Sequence, residues 1–452
     1  MLRTNGAVDF TRGGIVGSIV AFSMPIVLGE LLQNLYNSVD ALVVGNYAGK
    51  TALAAVTVGG VISNMVVMFF NGMSVGANVA ISKAYGRNIP DETRQKVRVA
   101  FTFSLLLGVS LSLLGIVLTP LLLRMAGTQA AYYAEALTYL RIYLAGLMFT
   151  VIYNNAAGIL RAVGDSQTPF YILAAACAVN IALDLVFTAW MRLGVTGVAL
   201  ATVCSQALSV ALASRSITRT LHTRCVDFRE MFRQGGETVG EILSVGMAAG
   251  VQSALIGISN IFVTRYMNLF STASVAGIGF AQRLDRFVIL PAKSFGITMT
   301  TYVSQNLGAE QHDRVREGMR RCLLTALAVT LSLSAAVYVF SEQCVRLFNP
   351  DAEVVAVGVS MIRVLALSFW VMAVREVVLG YLRGYGRSFT PMVLSLIGMI
   401  GVRQAYLALT LYNAAPDIRK IYRCYPIAWA ATALLLIGYY LLVRNDLRRP
   451  EG

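Results

Sequence analysis

The residues best suited to chemistry in this chain are polar and acidic groups set inside apolar runs. Glu30, Gln33, Asn37 and Asp40 follow one another at spacings of three, four and three, so on a helix they share one face. Asn180 and Asp184, four apart, share another, and Thr202 lies in the next apolar run. A carboxylate inside a membrane span is costly and is a functional candidate by default. Two carboxylates with an amide and a hydroxyl suit two cargoes. They can hold a proton between them, because neighbouring acids in a poorly solvated site titrate as a coupled pair. They can instead offer hard oxygen ligands to a small cation. Hydrogen bonding between helices accounts for Asn180 and Thr202 but poorly for two buried acids, so an ion or proton site is the better reading.

Such residues need apolar elements to hold them, and the composition provides them. Hydrophobic residues make up 57% of the chain and charged residues 13%, with a mean hydropathy of +0.66. A soluble globule is about a quarter charged, so lipid must be the solvent for most of this surface. The net charge of +14 would suggest nucleic acid if it formed one soluble patch. The basic residues fall mainly between apolar runs instead, which is a membrane-topology signal, and no nucleic-acid partner is expected.

The cysteines show no CxxC or Cys/His pairing, so neither a metal centre nor a disulfide framework is indicated. The segment from Gly45 to Thr51 resembles a phosphate-binding loop but has three residues between its glycines where four are needed. His222 and His312 fall outside the apolar runs. No enzyme activity and no cofactor are expected.

Each half of the chain divides into six apolar stretches of about 20 residues, the length that crosses the hydrocarbon layer as helix. They cover 15–44, 52–80, 99–122, 135–158, 170–190 and 195–217, then 238–264, 274–302, 322–341, 354–379, 392–412 and 425–443. The first reads as a retained span and not as a signal peptide. Basic residues concentrate on the side shared by the two termini, from Arg3 and Arg12 through Arg224 and Arg229 to Arg448 and Arg449. The positive-inside rule places both termini in the cytoplasm.

The second half repeats the first at an offset of 222 residues. Gly158, Leu160, Arg161, Gly164, Thr168 and Pro169 recur as Gly380, Leu382, Arg383, Gly386, Thr390 and Pro391, and Ser82 and Gly86 as Ser304 and Gly308. Transporters are often built from two such halves, because a site between matching bundles can open to one side and then the other. The expected architecture is an all-α polytopic membrane protein, with twelve transmembrane helices in two pseudo-symmetric six-helix bundles covering 1–222 and 223–452. The acids are not duplicated. The same offset carries Asp40, Asn180, Asp184 and Thr202 to Phe262, Val402, Tyr406 and Cys424, so the ion site belongs to the first half alone.

Other polar groups are open to two readings. Asn64, Asn71 and Asn78, at seven-residue spacing in span 2, either line a cavity or tie helices together. Gln282, Arg283, Asp285, Arg286 and Lys293 in span 8, with Arg403 and Gln404 in span 11, form either a polar wall of the second half or a structural network. Gln252 in span 7 carries no charge and is weaker evidence.

The segment Ser23-Met24-Pro25, followed by Asp40, resembles the first helix of multidrug and toxic compound extrusion (MATE) transporters. So does the loop from Leu160 to Pro169 with its echo from Leu382 to Pro391, and Ser304-Gln305-Asn306-Leu307-Gly308-Ala309 is similar to the family's loop after helix 8. The resemblance covers essentially the whole chain. It implies two six-helix lobes around a V-shaped cavity in a prokaryotic cell (inner) membrane. It also implies export of organic, often cationic, compounds in exchange for H+ or Na+, by a chain acting as a monomer.

Asp40, Asn180, Asp184 and Thr202 match the N-lobe cation site of the branch resembling DNA-damage-inducible exporters, with Na+ a possible occupant. Gln252 stands where another branch has a membrane glutamate, which weighs against a C-lobe cation site. Pro25 would let helix 1 bend, since a mid-helix proline removes one backbone bond and crowds the preceding turn. Gln33, Asn37, Asn64, Asn71, Asn78, Gln252, Arg283, Asp285 and Arg286 are the candidate cavity residues. The rival reading is a flippase for lipid-linked sugars, which would favour a cationic cavity and which Arg283, Arg286 and Arg403 keep open.

Overall fold

A chain immersed in lipid must satisfy its backbone hydrogen bonds internally, which leaves helices or closed barrels. The computed structural model describes residues 7–412 and 417–446, and the side chains of Asn37, Ala41, Ala48, Leu411 and Tyr412 are outside that description. Arg3, Arg448 and Arg449 also lie outside the described residues. Within them every regular element is a helix. The helices are α1 Ile15–Val43, α2 Gly49–Gly86, α3 Pro90–Met125, α4 Tyr133–Ala145, α5 Leu147–Ala162, α6 Gln167–Asp184, α7 Gly194–Leu221 and α8 Phe228–Gln234. They continue as α9 Gly236–Met267, α10 Thr272–Gly308, α11 His312–Val339, α12 Ser341–Arg346, α13 Ala352–Ala366, α14 Phe369–Gly384, α15 Phe389–Leu396, α16 Arg403–Tyr412 and α17 Ile418–Val443.

Among the described residues nine helices are long and apolar enough to cross a membrane, and eleven if each of two bent pairs is one span. The twelfth span is the 37-residue α10, which carries Gln282, Arg283, Asp285, Arg286 and Lys293 and is less apolar. The chain is a multi-pass membrane protein, and with α10 the described residues are consistent with twelve helical spans.

Spans 4 and 10, expected as single helices over 135–158 and 354–379, are each broken. The chain bends by 43° at Gly146, between α4 and α5, and by 46° at Leu367–Ser368, between α13 and α14. Gly146 and Ser368 are equivalent in the repeat. Gly146 packs so closely on α7 that a Cβ there would lie within 2.9 Å of Val203 Cγ1, and glycine is a weak helix former. Ser368 Oγ bonds back to the Val364 carbonyl at 3.2 Å, a local bond that competes with the helical ladder.

The chain forms two compact units that do not follow the 222/223 division of the repeat. The first comprises Met1–Val8 with Leu28–Gly250, and the second Asp9–Val27 with Val251–Gly452. Polar contacts explain why residues 223–250 stay with the first unit. Lys96 Nζ meets Glu241 Oε2 at 2.6 Å, and Arg98 holds Glu230 of α8 in a two-point ion pair. Along α2, Gly72 and Gly76 leave room for the α9 backbone at Ala249 and Ile242. The start of α1 belongs to the second unit for similar reasons. Ser23 Oγ and Thr298 Oγ1 are 2.8 Å apart, and the Phe10 carbonyl accepts from Asn306 Nδ2 (3.2 Å) and Arg314 Nε (3.1 Å). The Phe10 ring meets Phe22 and Tyr302 edge-on, with centroids 5.0 and 5.3 Å away. Helix α1 runs through Pro25 without interruption of its helical assignment.

The 222-residue repeat is written into the contacts inside each unit. Ser82 Oγ donates to the Ala162 carbonyl (3.3 Å) and Ser304 Oγ to that of Gly384 (2.9 Å). Asn78 Nδ2 donates to the Gly158 carbonyl (3.3 Å), and Thr300 Oγ1 to that of Gly380 (3.2 Å). Gly164 and Gly386 turn with φ of 88° and 78°, and Asn88 and Glu310 with φ of 57° and 56°.

Helix starts follow local chemistry. Pro90 opens α3 with Asp91 and Glu92 in its first turn, as the helix dipole favours. Asp351 caps α13, its Oδ1 accepting from Glu353 N (2.9 Å) and Val354 N (3.3 Å). Replacing Asp351 by Ala removes that cap. The expected loss is about 1 kcal/mol of stability, measurable as a lower thermal midpoint of the purified protein.

Candidate functional site

The first unit gathers the acids through two irregular helix ends. Helix α1 passes from Asp40 into a π-helical turn, Val44–Ala48, and α6 ends at Asp184 and continues as a second such turn, Leu185–Trp190. Single π turns occur frequently at functional sites. Asp184 is fully buried, Asn180 is 1% exposed, Thr202 is 9% exposed, and Asp40 is partly buried.

The carboxyl groups of Asp40 and Asp184 lie within hydrogen-bonding reach of each other. Oriented to satisfy both its neighbours, Asn180 donates through Nδ2 to Asp184 Oδ2 (3.0 Å) and accepts through Oδ1 from Thr202 N (3.3 Å). The Thr202 hydroxyl donates to the Val198 carbonyl at 3.1 Å and is within reach of the Tyr36 hydroxyl. Asp40 Oδ1 and Asp184 Oδ1 are both buried without a donor among the described residues. Ionised carboxylates only accept, so two of them side by side require a proton or a cation to be stable together. Among the described residues no group of three or more His, Cys, Asp or Glu side chains could hold a metal ion. A cation here would therefore depend on two carboxylates supplemented by amide and hydroxyl oxygens.

Tyrosines complete the surroundings. Tyr139 and Tyr143 stack with centroids 6.1 Å apart, and both lie within electrostatic reach of Asp40. Sequence reasoning passed over Tyr36, Tyr139 and Tyr143 because aromatic residues are ordinary in membrane helices. Tyr36 did carry a signal, since it stands four residues before Asp40 and so shares its face.

The remaining candidates scatter. Gln33 is half-buried, and the Asn37 side chain lies outside the described residues. The span 2 asparagines do not share one environment: Asn64 and Asn71 are exposed, while Asn78 is buried against α5. Seven residues fall about 20° short of two full helical turns, and the neighbours of α2 change along its 38 residues. Asn78→Ala should cost about 1 kcal/mol through its lost hydrogen bond and leave substrate preference unchanged. Asn71→Ala should do the reverse, and thermal unfolding paired with transport profiles separates the two effects.

In the second unit Gln252 is buried and its Oε1 accepts from Arg383 Nη2 at 2.8 Å, so it serves an arginine and does not face open space. Arg283 and Arg286 are exposed, the former 5.8 Å from the Phe280 ring centroid, and Asp285 lies in the field of Lys293 and Arg286. The adjacent ion pair Arg375–Glu376 on α14 was not singled out beforehand. Two neighbouring opposite charges inside an apolar stretch are the signal that could have found it.

Comparison with known proteins adds the following. The family model described as MatE matches residues 25–186 and 248–407, two segments whose starts differ by the length of the repeat to within one residue. The chain is 30% identical over 406 residues to the protein named "Probable multidrug resistance protein YpnP" of Bacillus subtilis (strain 168), covering 89% of this chain and 90% of that one. It is 27% identical over 432 residues to "Probable multidrug resistance protein YoeA" of the same organism, covering 94% and 93%. It is 20% identical over 448 residues to "Multidrug export protein MepA" of Staphylococcus aureus (strain NCTC 8325 / PS 47), covering 98% and 97%. A solved structure described as the outward-facing conformation of a multidrug resistance MATE family transporter of the MOP superfamily shares the fold, with a TM-score of 0.90 at 21% identity over 99% of each chain.

Proposed function

Since this chain belongs to the MatE family of membrane transporters, we propose that it is a secondary active antiporter exporting organic compounds, cations among them, in exchange for H+ or Na+ by alternating access. The observation that carries this reading is the pair Asp40–Asp184, each with a buried Oδ1 that no donor among the described residues meets. In the proposed cycle a proton or Na+ enters at Asp40 and Asp184, with Asn180 and Thr202 orienting the second carboxylate. The bound ion neutralises the pair, and α1 adjusts around it and releases the exported compound. The protein then opens to the other side, the ion leaves, and new cargo binds. One charge moving through 100 mV is worth about 2.3 kcal/mol, enough for roughly a fiftyfold gradient of a neutral cargo. The relatives' names support multidrug compounds as cargo, and the positive-inside pattern supports cytoplasmic termini in a prokaryotic cell membrane.

The test is efflux of a fluorescent organic cation from proteoliposomes under an imposed pH gradient and, separately, an imposed Na+ gradient. Flux driven by one of them is expected and names the coupling ion. Folded protein that answers to neither gradient overturns the antiport reading. It would leave the lipid-linked-sugar flippase, which the exposed Arg283, Arg286 and Lys293 side chains favour.

A further inference from the structure

The second unit holds an excess of buried positive charge that the proposed ion-coupled cycle does not use. Arg403 opens α16 directly after the π-helical segment Ile397–Val402 and is 1% exposed. Its Nη1 donates to Asn260 Oδ1 at 2.9 Å, its Nη2 donates to Ser259 Oγ, and its Nε has no partner among the described residues. Both acceptors are neutral. The electrostatic neighbours of Arg403 are Cys424, Tyr425 and a second buried guanidinium, Arg375, with no carboxylate among the described ones. Arg375 donates through Nη1 to Met399 Sδ (3.0 Å), pairs with Glu376, and likewise leaves its Nε unpartnered. Two carboxylates, Glu376 and Asp285, do not neutralise the cluster, since Lys293 draws on both, Arg383 on Glu376 and Arg286 on Asp285.

A buried charge left without a counter-charge is strongly destabilising, and proteins pair such groups or bind an ion to them. Guanidinium groups match carboxylates in shape as well as charge. The Tyr425 ring, 6.0 Å from Arg403 and held by Gln282 Nε2 at 2.9 Å, offers an aromatic face beside the cation. Asn260 is itself exposed, so a single side chain separates Arg403 Nη1 from the surface of the unit.

We propose that Arg403 and Arg375 form a binding site for one anionic group, entered where Asn260 now sits, and that this group is the carboxylate of an exported organic anion or zwitterion. The incoming carboxylate takes over Nη1 from the Asn260 amide, and an attached ring packs against Tyr425. This rests on the export reading above and narrows its cargo to compounds with a negative group.

The experiment uses the purified full chain at low ionic strength. Fluorescence polarisation follows titration with 1-naphthoate, beside the matched cation 1-naphthylmethylammonium, and thermal unfolding follows titration with chloride. Saturable naphthoate binding is expected, weakened at least about tenfold, or 1.4 kcal/mol, in Arg403→Gln and partly retained in Arg403→Lys. Asn260→Asp tethers a carboxylate at the entrance, so it should abolish naphthoate binding and raise the thermal midpoint. This variant keeps the test valid if Arg403→Gln fails to fold.

Naphthoate bound equally by wild type and Asn260→Asp, or not bound by folded wild type, overturns the proposal. Stabilisation by chloride without naphthoate binding makes the site a halide site and overturns the assignment to cargo. Ion-driven efflux that persists without naphthoate binding sinks this inference alone. Naphthoate binding with no ion-driven flux removes the export reading, and the cargo assignment with it.

Discussion

Asp40→Asn and Asp184→Asn each abolish gradient-driven accumulation, which for a neutral cargo reaches about fiftyfold at 100 mV, and the double variant loses nothing further. The carboxyl groups lie within hydrogen-bonding reach, and each has a buried Oδ1 without a donor among the described residues. One proton or cation serves both. An asparagine keeps the shape but cannot titrate, and it removes half of the charge that would attract Na+. Groups that act as one unit are strongly non-additive, so the second substitution has no remaining function to remove. Accumulation measured in proteoliposomes for the two single variants and the double decides the matter. Independent, additive losses would mean two separate sites, and full transport by either single variant would remove that residue from the coupling step. Asn180→Ala provides an intermediate case, because it takes a hydrogen-bond donor from Asp184 Oδ2 while both acids remain.

The second large effect concerns stability. Gly158→Leu and Gly380→Leu should each prevent accumulation of well-folded protein or lower its thermal midpoint by many degrees. A Cβ at Gly158 would stand 2.7 Å from the Ser74 carbonyl oxygen, and one at Gly380 would overlap the Gly296 carbonyl. Both obstacles are backbone atoms of long helices, which cannot rotate aside as a side chain would. Overpacking typically costs about 1–3 kcal/mol and occasionally more, and here the displaced groups also accept hydrogen bonds nearby. Gly17→Ala is the matched control. Beyond its own helical turn no atom of the described residues lies within 4 Å of its added methyl group, and alanine favours helix over glycine by about 1 kcal/mol. Thermal unfolding should therefore move down for the two repeat glycines and level or up for Gly17. Equal responses at all three would show that close helix approach is not what these glycines secure.

How much of this was legible in the chain depends on whether a feature is periodic. The spans, the 222-residue echo and the shared face of Asn180 and Asp184 follow from spacings that repeat every three to four residues or at a fixed offset. The breaks at Gly146 and Ser368 do not, because their cause is a neighbour distant in sequence, Val203, in one case and a single serine hydroxyl in the other. The seven-residue asparagine stripe misled for a related reason: regular spacing sets direction on a helix but not what stands opposite, and Asn78 meets a carbonyl where Asn71 meets open surface. Arg403 was visible as a charge in an apolar run. Its lack of a counter-ion became apparent only when Asn260 and Ser259, from a span about 140 residues earlier, proved to be its partners.

The placement of Asp9–Val27 in the second unit bears on biosynthesis. Residues at and before the start of α1 have partners made far later: Ser23 meets Thr298, and Phe10 meets Asn306 and Arg314, at separations of 275, 296 and 304 residues. At a translation rate of about 5–20 residues per second, the start of α1 must wait roughly 15 to 60 seconds in the nascent chain before those groups exist. The start of α1 therefore reaches its final packing only after α10 has been made, and until then the Ser23 hydroxyl has the Ile19 carbonyl of its own helix (2.7 Å) as its partner.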